Sequence, residues 1–218
     1  MNMNPDKVTK MIHDKFRIKK RDTLPFTGWL PSTRHHIAEL FNELGYKIGA
    51  EIGVERGRNA RMFFRNMKEL KLILVDPWSA YNKMSGEKID RNYRWCKERL
   101  APYNTEYMRM TSMEAVKQIP DASLDFVYID GLHEFDPVMM DIICWAPKVR
   151  QGGIISGHDY YCFYKGGVIR AVNAYTKSHN INSWYITTAE PHPSWFWVQR
   201  DEYQNNIPEW YSQPCLNS

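Results

Sequence analysis

The sequence predicts an α/β fold: a doubly wound, mostly parallel seven-stranded sheet with helices on both faces. Three observations carry this. Short apolar runs of strand length alternate with stretches of helical hydrophobic spacing. One early run, within residues 47–57 (KIGAEIGVERG), turns through two glycines directly into a helix. The ionisable residues of these runs sit at their carboxyl ends, the rim at which doubly wound sheets bind ligands.

Residues 6–20 carry a partial helical stripe of Val8, Met11, Ile12, Phe16 and Ile18, and residues 23–31 read as a loop from their proline and glycine content. Ser32 is placed as an N-cap. It leads a helix bearing Ile37, Leu40, Phe41 and Leu44 at i, i+3, i+4 and i+7, and Gly45 stops it. A strand over 46–54 follows, then a helix with Ala60, Phe63, Phe64 and Met67 on one side. Residues 71–78 (KLILVDPW) form a second buried strand that Pro77 closes. After a polar loop at 79–86, Ile89, Tyr93, Cys96 and Leu100 mark another helix. Residues 105–110 give a third strand, and residues 111–113 open a short helix.

The run 124–129 (LDFVYI) is the strongest strand and ends in Asp130-Gly131-Leu132-His133. Asp136-Pro137 reads as an N-cap followed by proline at the first helical position, for a helix burying Val138, Ile142 and Trp145. Gly152-Gly153 leads into a fifth strand, IISGHDY, and Val168, Val172 and Tyr175 share one more helix. Strands at 183–189 and 194–199 close the pattern, and residues 204–218 show none. The division is a basic leader and loop at 1–33, a ligand-binding domain at 34–200, and an irregular tail at 201–218.

With 218 residues the chain is long enough for one domain with a sizeable core. Its net charge of +4 lies in the leader: residues 1–22 carry seven Lys/Arg against three Asp, so the rest is neutral. That distribution argues against a nucleic-acid-binding face on the domain and leaves a solvated helix, or a phosphate-binding arm, at the N-terminus. No apolar run of about 18 residues suggests a membrane span, and the polar N-terminus is unlike a secretory signal. Cys96, Cys144, Cys162 and Cys215 are scattered without a C-x-x-C pair. Free thiols in a reducing cytoplasm account for them, without a structural zinc.

The chemistry gathers at the strand ends. A phosphate-binding loop would need Lys and Ser/Thr after Gly57, where Arg58-Asn59 stands, and a dinucleotide fingerprint would need a third glycine at Ala60. The acid at Glu51 fits a ligand carrying a cation instead, such as an amino-acid end or a sulfonium. Glu51, Asp76, Asp130, His133, His158 and Asp159 all fall at or just past strand ends. Trp78 serves either to cover the sheet edge or to touch a ligand ring.

The acid–x–Gly–x–x–x–Gly of Glu51, Gly53 and Gly57, with Asp76 after the second strand, resembles the class I S-adenosylmethionine-dependent methyltransferases and their Rossmann-like fold. The resemblance covers roughly residues 46–200. It implies that Glu51 and the loop of Gly53 and Gly57 hold the methionine part of the cofactor. Asp76 would take the ribose hydroxyls, and Trp78, Ser112, Met113 and Asp130 would border the rest.

IDGLHEF followed by QGGIISGHDY is similar to a narrower set, the macrocin and sugar O-methyltransferase-like group. That similarity implies O-methylation of a small hydroxylated acceptor, with His133 as base beside Asp130. It also implies a divalent metal (Mg2+ or Mn2+) at Asp130, Asp159 and His158, although His158 stands where relatives carry a second acid. The signature of amino-methylating DNA enzymes is absent after the fourth strand, where IDGLH stands. A nucleic-acid or protein acceptor, a non-catalytic binding module and a homo-oligomer are the alternatives left open.

Overall fold

The computed structural model describes residues 3–18, 23–28, 31–79 and 85–203. The eight strands among them form a single sheet in the order β1 (Phe26–Thr27), β7 (Trp184–Ile186), β8 (Trp195–Val198), β6 (Val149–Gly157), β5 (Leu124–Ile129), β2 (Ile48–Ile52), β3 (Lys71–Val75), β4 (Thr105–Met108). All neighbouring pairs are parallel except those made by β8, which runs antiparallel to both β6 and β7. The doubly wound expectation holds, with eight strands in place of seven. The addition is β1: residues expected to be pure loop pair with the edge strand β7, Phe26 beside Tyr185 and Thr27 beside Ile186.

Every central strand is apolar on both faces, as a sheet covered on both sides requires. Leu72, Leu74, Phe126 and Tyr128 point to one core, and Ile73, Val75, Val127 and Ile129 to the other. The first core is covered by α1 (Pro5–Phe16), α2 (Arg34–Glu43), α3 (Arg58–Asn66) and α4 (Gly86–Leu100). The second is covered by α5 (Ser112–Ala115), α6 (Phe135–Trp145) and α7 (Gly167–Ser178). Phe41, Phe63 and Phe126 form the centre of the first, with Phe126 lying 4.4 and 5.4 Å from the other two rings. Its ring fills the space over Gly49, where a Cβ would overlap it.

The basic N-terminal segment 1–33 is not a detached arm over its described part. Asn4 caps α1 by accepting from the Asp6 amide at 2.8 Å. Val8, Ile12 and Phe16, at i, i+4 and i+8, are buried on the sheet. Arg200 ties Asp6 to the end of β8 at 2.7 Å, and Lys15 bridges Glu43 and Glu39 of α2 at 2.7 and 3.3 Å. Lys19, Lys20 and Arg21 lie outside the described residues, as does the tail from 204 onward.

Two helix starts differ from expectation. Thr33, not Ser32, caps α2 and forms a reciprocal capping box with His36. Ser32 gives its carbonyl to the amides of Thr188 and Ala189 at 3.0 and 2.8 Å. Helix α6 begins at Phe135 after Glu134, so Asp136 and Pro137 lie inside its first turn, where proline lacks only an N–H that has no partner there anyway. Among the described residues no helix is long and apolar enough to cross a membrane.

Candidate active site

The strand-end acids converge as the sequence predicts. Strand β2 lies between β3 and β5, so its end meets both neighbours: the Gly53 amide donates to the Val75 carbonyl at 2.9 Å, and the Asp130 amide to the Ile52 carbonyl at 2.7 Å. Gly53 has φ +87°, and a Cβ there would overlap the Asp130 carbonyl. Gly57, at φ +66°, caps α3, and a Cβ would meet Cys96 and Leu100 of α4 at 2.9 Å. Both glycines thus let the chain turn and let its own elements close up.

Glu51 is 1% exposed. The Asn59 amide, in the first turn of α3, donates to its Oε1 at 3.2 Å, while Oε2 is buried with no hydrogen-bond partner. Burial pushes its carboxyl well above the usual range; the Asn59 hydrogen bond opposes this, and the negative charges of Asp130 and Asp76 add to it. A buried carboxylate oxygen without a donor is costly, and an ammonium group brought to Oε2 would supply both the donor and the countercharge. The residues present fit the amino-acid end of S-adenosylmethionine on this observation.

Asp76 clamps the glycine turn. Its Oδ2 accepts from the Val54 and Glu55 amides at 3.0 and 2.9 Å, and its Oδ1 from the Trp78 amide at 2.7 Å. A carboxylate has about four acceptor sites, so room is left for a hydroxyl. Trp78 takes φ +38°, donates its indole N–H to the Glu55 carbonyl at 2.8 Å, and is 4% exposed among Tyr93 and Tyr107. Its ring packs between Tyr93 of α4 and Tyr107 of the edge strand β4.

Ser112 opens α5 and faces α6. Its hydroxyl donates to Asp141 Oδ1 and accepts from the Trp145 indole at 2.8 Å, while Met113 beside it is partly buried. Asp141 is a residue that sequence reasoning missed, although it is an acid set within the buried stripe of Val138, Ile142 and Trp145. Burial pushes its carboxyl up to about 6, against the Ser112 hydrogen bond. The folded state therefore binds this proton more tightly than the unfolded chain, and stability is lost as pH rises from about 4 through about 6. Asp141→Asn should accordingly gain on the order of 2 kcal/mol over the native chain between pH 4.5 and pH 7. Urea midpoints at the two pH values check this, and an equal effect at both would contradict it.

Beyond β5 and β6 lies the second half of the site. His133 Nε2 is 2.9 Å from Asp159 Oδ2 and 3.6 Å from Asp130 Oδ1. Hydrogen bonding to Asp130, then to Asp159, raises His133 to about 9. Burial works to raise Asp159, but hydrogen bonds from His133 and His158 outweigh it and hold the carboxyl below its usual range. Burial raises Asp130, with His133 opposing. His158 Nδ1 lies 3.2 Å from Asp159 Oδ1 and 3.8 Å from Asp130 Oδ1. The ligand atoms of Asp130, His133 and Asp159 lie within 4.8 Å of one another, a spacing that suits a metal ion. This set, among the described residues, has His133 where sequence reasoning placed His158.

A third imidazole was missed altogether. His192, on the loop between β7 and β8, brings Nδ1 to 3.4 Å from Asp159 Oδ1 and stacks on Phe163 at 4.5 Å. Glu190 organises that loop, accepting from the Arg34 amide and guanidinium, the Thr187 hydroxyl, and the Ser194 amide and hydroxyl at 2.5–3.3 Å. The only trace in the sequence is a histidine between two prolines ahead of a strand.

A protein-family model described as "Methyltransferase domain" matches residues 50–160, just over half of the chain. An uncharacterized protein, R132, of Acanthamoeba polyphaga mimivirus is 28% identical over 128 residues, which are 56% of this chain and 56% of its own length. Protein y4gI of Sinorhizobium fredii is 28% identical over 93 residues, 39% of this chain but 10% of its own. The chain therefore spans only part of the curated relatives it matches. Among solved structures, the Bacillus cereus O-methyltransferase in complex with SAH superposes with TM-score 0.57 at 12% identity, covering 90% of this chain and 92% of that one. TomG from Streptomyces achromogenes, in complex with SAM, gives TM-score 0.57 at 13% identity and 92% coverage of each chain. Spermidine synthase from Thermotoga maritima gives 0.55 at 17% identity, covering 90% and 73%. At these identities the structures report a shared fold. The matched stretch runs from β2 to the turn after β6 and takes in Glu51, Asp76, Asp130, His133 and Asp159; on it, the chain belongs to the methyltransferase domain family.

Proposed function

We propose that this protein transfers the methyl group of S-adenosylmethionine to a hydroxyl of a small acceptor, a sugar or a natural product. One observation carries the reading: a buried carboxylate with an unpaired oxygen, Glu51, stands one strand away from an imidazole held between two acids. The first suits the cofactor's ammonium group, and the second suits removal of a proton from an acceptor. The O-methyltransferase structures of the same fold hold SAH and SAM, which supports the choice of cofactor.

When bound, S-adenosylmethionine supplies an electrophilic methyl group on a good, neutral leaving group. The chain's own work is then alignment and proton removal. Glu51 and the turn from Gly53 to Gly57 fix the amino-acid end, and Asp76 takes ribose hydroxyls on its remaining lone pairs. His133 accepts the acceptor's hydroxyl proton. Asp130 and Asp159 orient its ring and stabilise the imidazolium that results. Asp130, Asp159 and His158 are the residues that would hold a divalent ion beside it, which would lower the hydroxyl's pKa.

The test is release of S-adenosylhomocysteine, read by mass spectrometry, over a panel of sugars, polyols and phenols, with matched amines as controls. Hydroxyl-dependent release is expected. Release only with the amines would overturn transfer to oxygen.

A further inference from the structure

The domain beyond the leader is neutral as a whole, but its charge is unevenly spread. Residues 56–68 hold five Lys/Arg and no acid, and residues 86–100 hold five Lys/Arg against three acids. These stretches contain α3 and α4, which pack beside each other over the first core. Both helices bury their apolar sides there, so their cations are turned outward. Arg58, Arg61 and Arg65, at i, i+3 and i+7, form an exposed ridge on α3, and Arg91 and Arg94 are exposed on α4. None of these five forms an ion pair among the described residues, and Asp90 of α4 is already engaged by Arg109 at 2.9 Å.

A second observation marks the same face. Trp95 of α4 is 39% exposed, and two guanidinium groups lie over its ring, with the Cζ atoms of Arg56 and Arg91 at 5.1 and 5.3 Å from the centroid. Arg56 is held there: its Nε donates to Oδ1 of the buried Asn92 at 3.0 Å, and Arg99 donates to its backbone carbonyl. Cations gathered in this way raise the local potential and draw an anionic partner.

We propose that this face of α3 and α4 docks single-stranded nucleic acid, with the arginines on successive phosphates and one base stacked on Trp95. Planar guanidinium forks suit phosphate oxygens, and a solvent-facing indole within a basic track takes an unpaired base. An anionic membrane is the poorer fit, because Ala60, Met62 and Phe63 of α3 are buried in the core and leave that helix no apolar side to insert. The face lies on the helices that follow β2 and β3, whereas His133 and Asp159 follow β5 and β6. The polymer is therefore a docking partner and not the methyl acceptor, and the inference stands apart from the proposed function.

The probes are short labelled oligouridylate and oligothymidylate, titrated into the full-length protein by fluorescence anisotropy. With about five arginines on phosphates, affinity should fall on the order of a hundredfold between about 50 and about 200 mM salt. Arg58→Glu, Arg61→Glu and Arg65→Glu combined should weaken binding at least a hundredfold; should that variant fail to fold, Arg61→Ala with Arg65→Ala should still weaken it about tenfold. Trp95→Ala should weaken binding about tenfold or more. No binding at low salt, or unchanged affinity in the arginine variants, would overturn the proposal. So would loss of binding in Lys19→Ala, Lys20→Ala and Arg21→Ala combined but not in the α3 variants, which would place the contact on the leader. Polyglutamate or phosphatidylserine vesicles bound as tightly as the oligonucleotides, and lost in the same variants, would replace nucleic acid with an acidic protein or a membrane. A difference between the two oligonucleotides identifies RNA or DNA as the form bound, and either one supports the proposal.

Discussion

Gly53→Ala should destabilise the fold by about 3 kcal/mol or more and abolish cofactor binding. Two costs add. An L-residue at φ +87° is strained by about 1–2 kcal/mol. A Cβ would also overlap the Asp130 carbonyl and stand 2.6 Å from the Gly131 Cα, and such backbone neighbours cannot swing aside. Overpacking of this kind costs about 1–3 kcal/mol, and relief would come only by prising the end of β2 from that of β5. That movement would separate Glu51 from Asp130. Gly45→Ala is the natural comparison: its φ is +69°, but nothing lies within 4 Å of the added Cβ, so only the strain applies. Urea unfolding of both variants measures the difference. Equal losses would mean that the junction of the two strands is looser than described.

His133→Ala should cut turnover by about 10²–10⁴-fold, the usual worth of a positioned base, with cofactor affinity unchanged. The acids that orient His133 also raise it to about 9, so at neutral pH the native imidazole rests protonated. A base acts only in its unprotonated form. Turnover should therefore climb about tenfold per pH unit from neutrality and level off near 9. The variant should show no such rise. Surviving turnover in His133→Ala would remove the assignment of the base.

Much of the frame was legible because buried parallel strands and amphipathic helices write periodic patterns. The alternation of Leu72 to Val75 and the spacing of Ile37, Leu40, Phe41 and Leu44 translate directly into cores on either side of the sheet. Glu51 and Asp76 were legible too, since a charge closing an apolar strand has few places to go. What was not legible depended on contacts distant in sequence. Helix α1 hides an apolar stripe of three residues under its basic charges, and only the sheet beneath shows that the stripe is buried. Strand β1 exists because β7 offers it an edge. The placing of the Trp78 ring could not be read without knowing that Glu55 would accept its indole N–H. His192 is brought to Asp159 by a carboxylate two residues before it, itself anchored to α2. No local pattern encodes that chain of contacts.

The central claim is that Glu51, at the meeting of three strand ends, is the counter-charge for a cationic ligand. Calorimetric titration of S-adenosylmethionine into the native protein and into Glu51→Gln tests it most directly. A charge-assisted hydrogen bond contributes about 1.5–3 kcal/mol, so the native chain should bind and the variant should bind about tenfold to a hundredfold more weakly. Absence of heat with the native protein at high cofactor concentration, or equal affinity in the two proteins, would contradict the account.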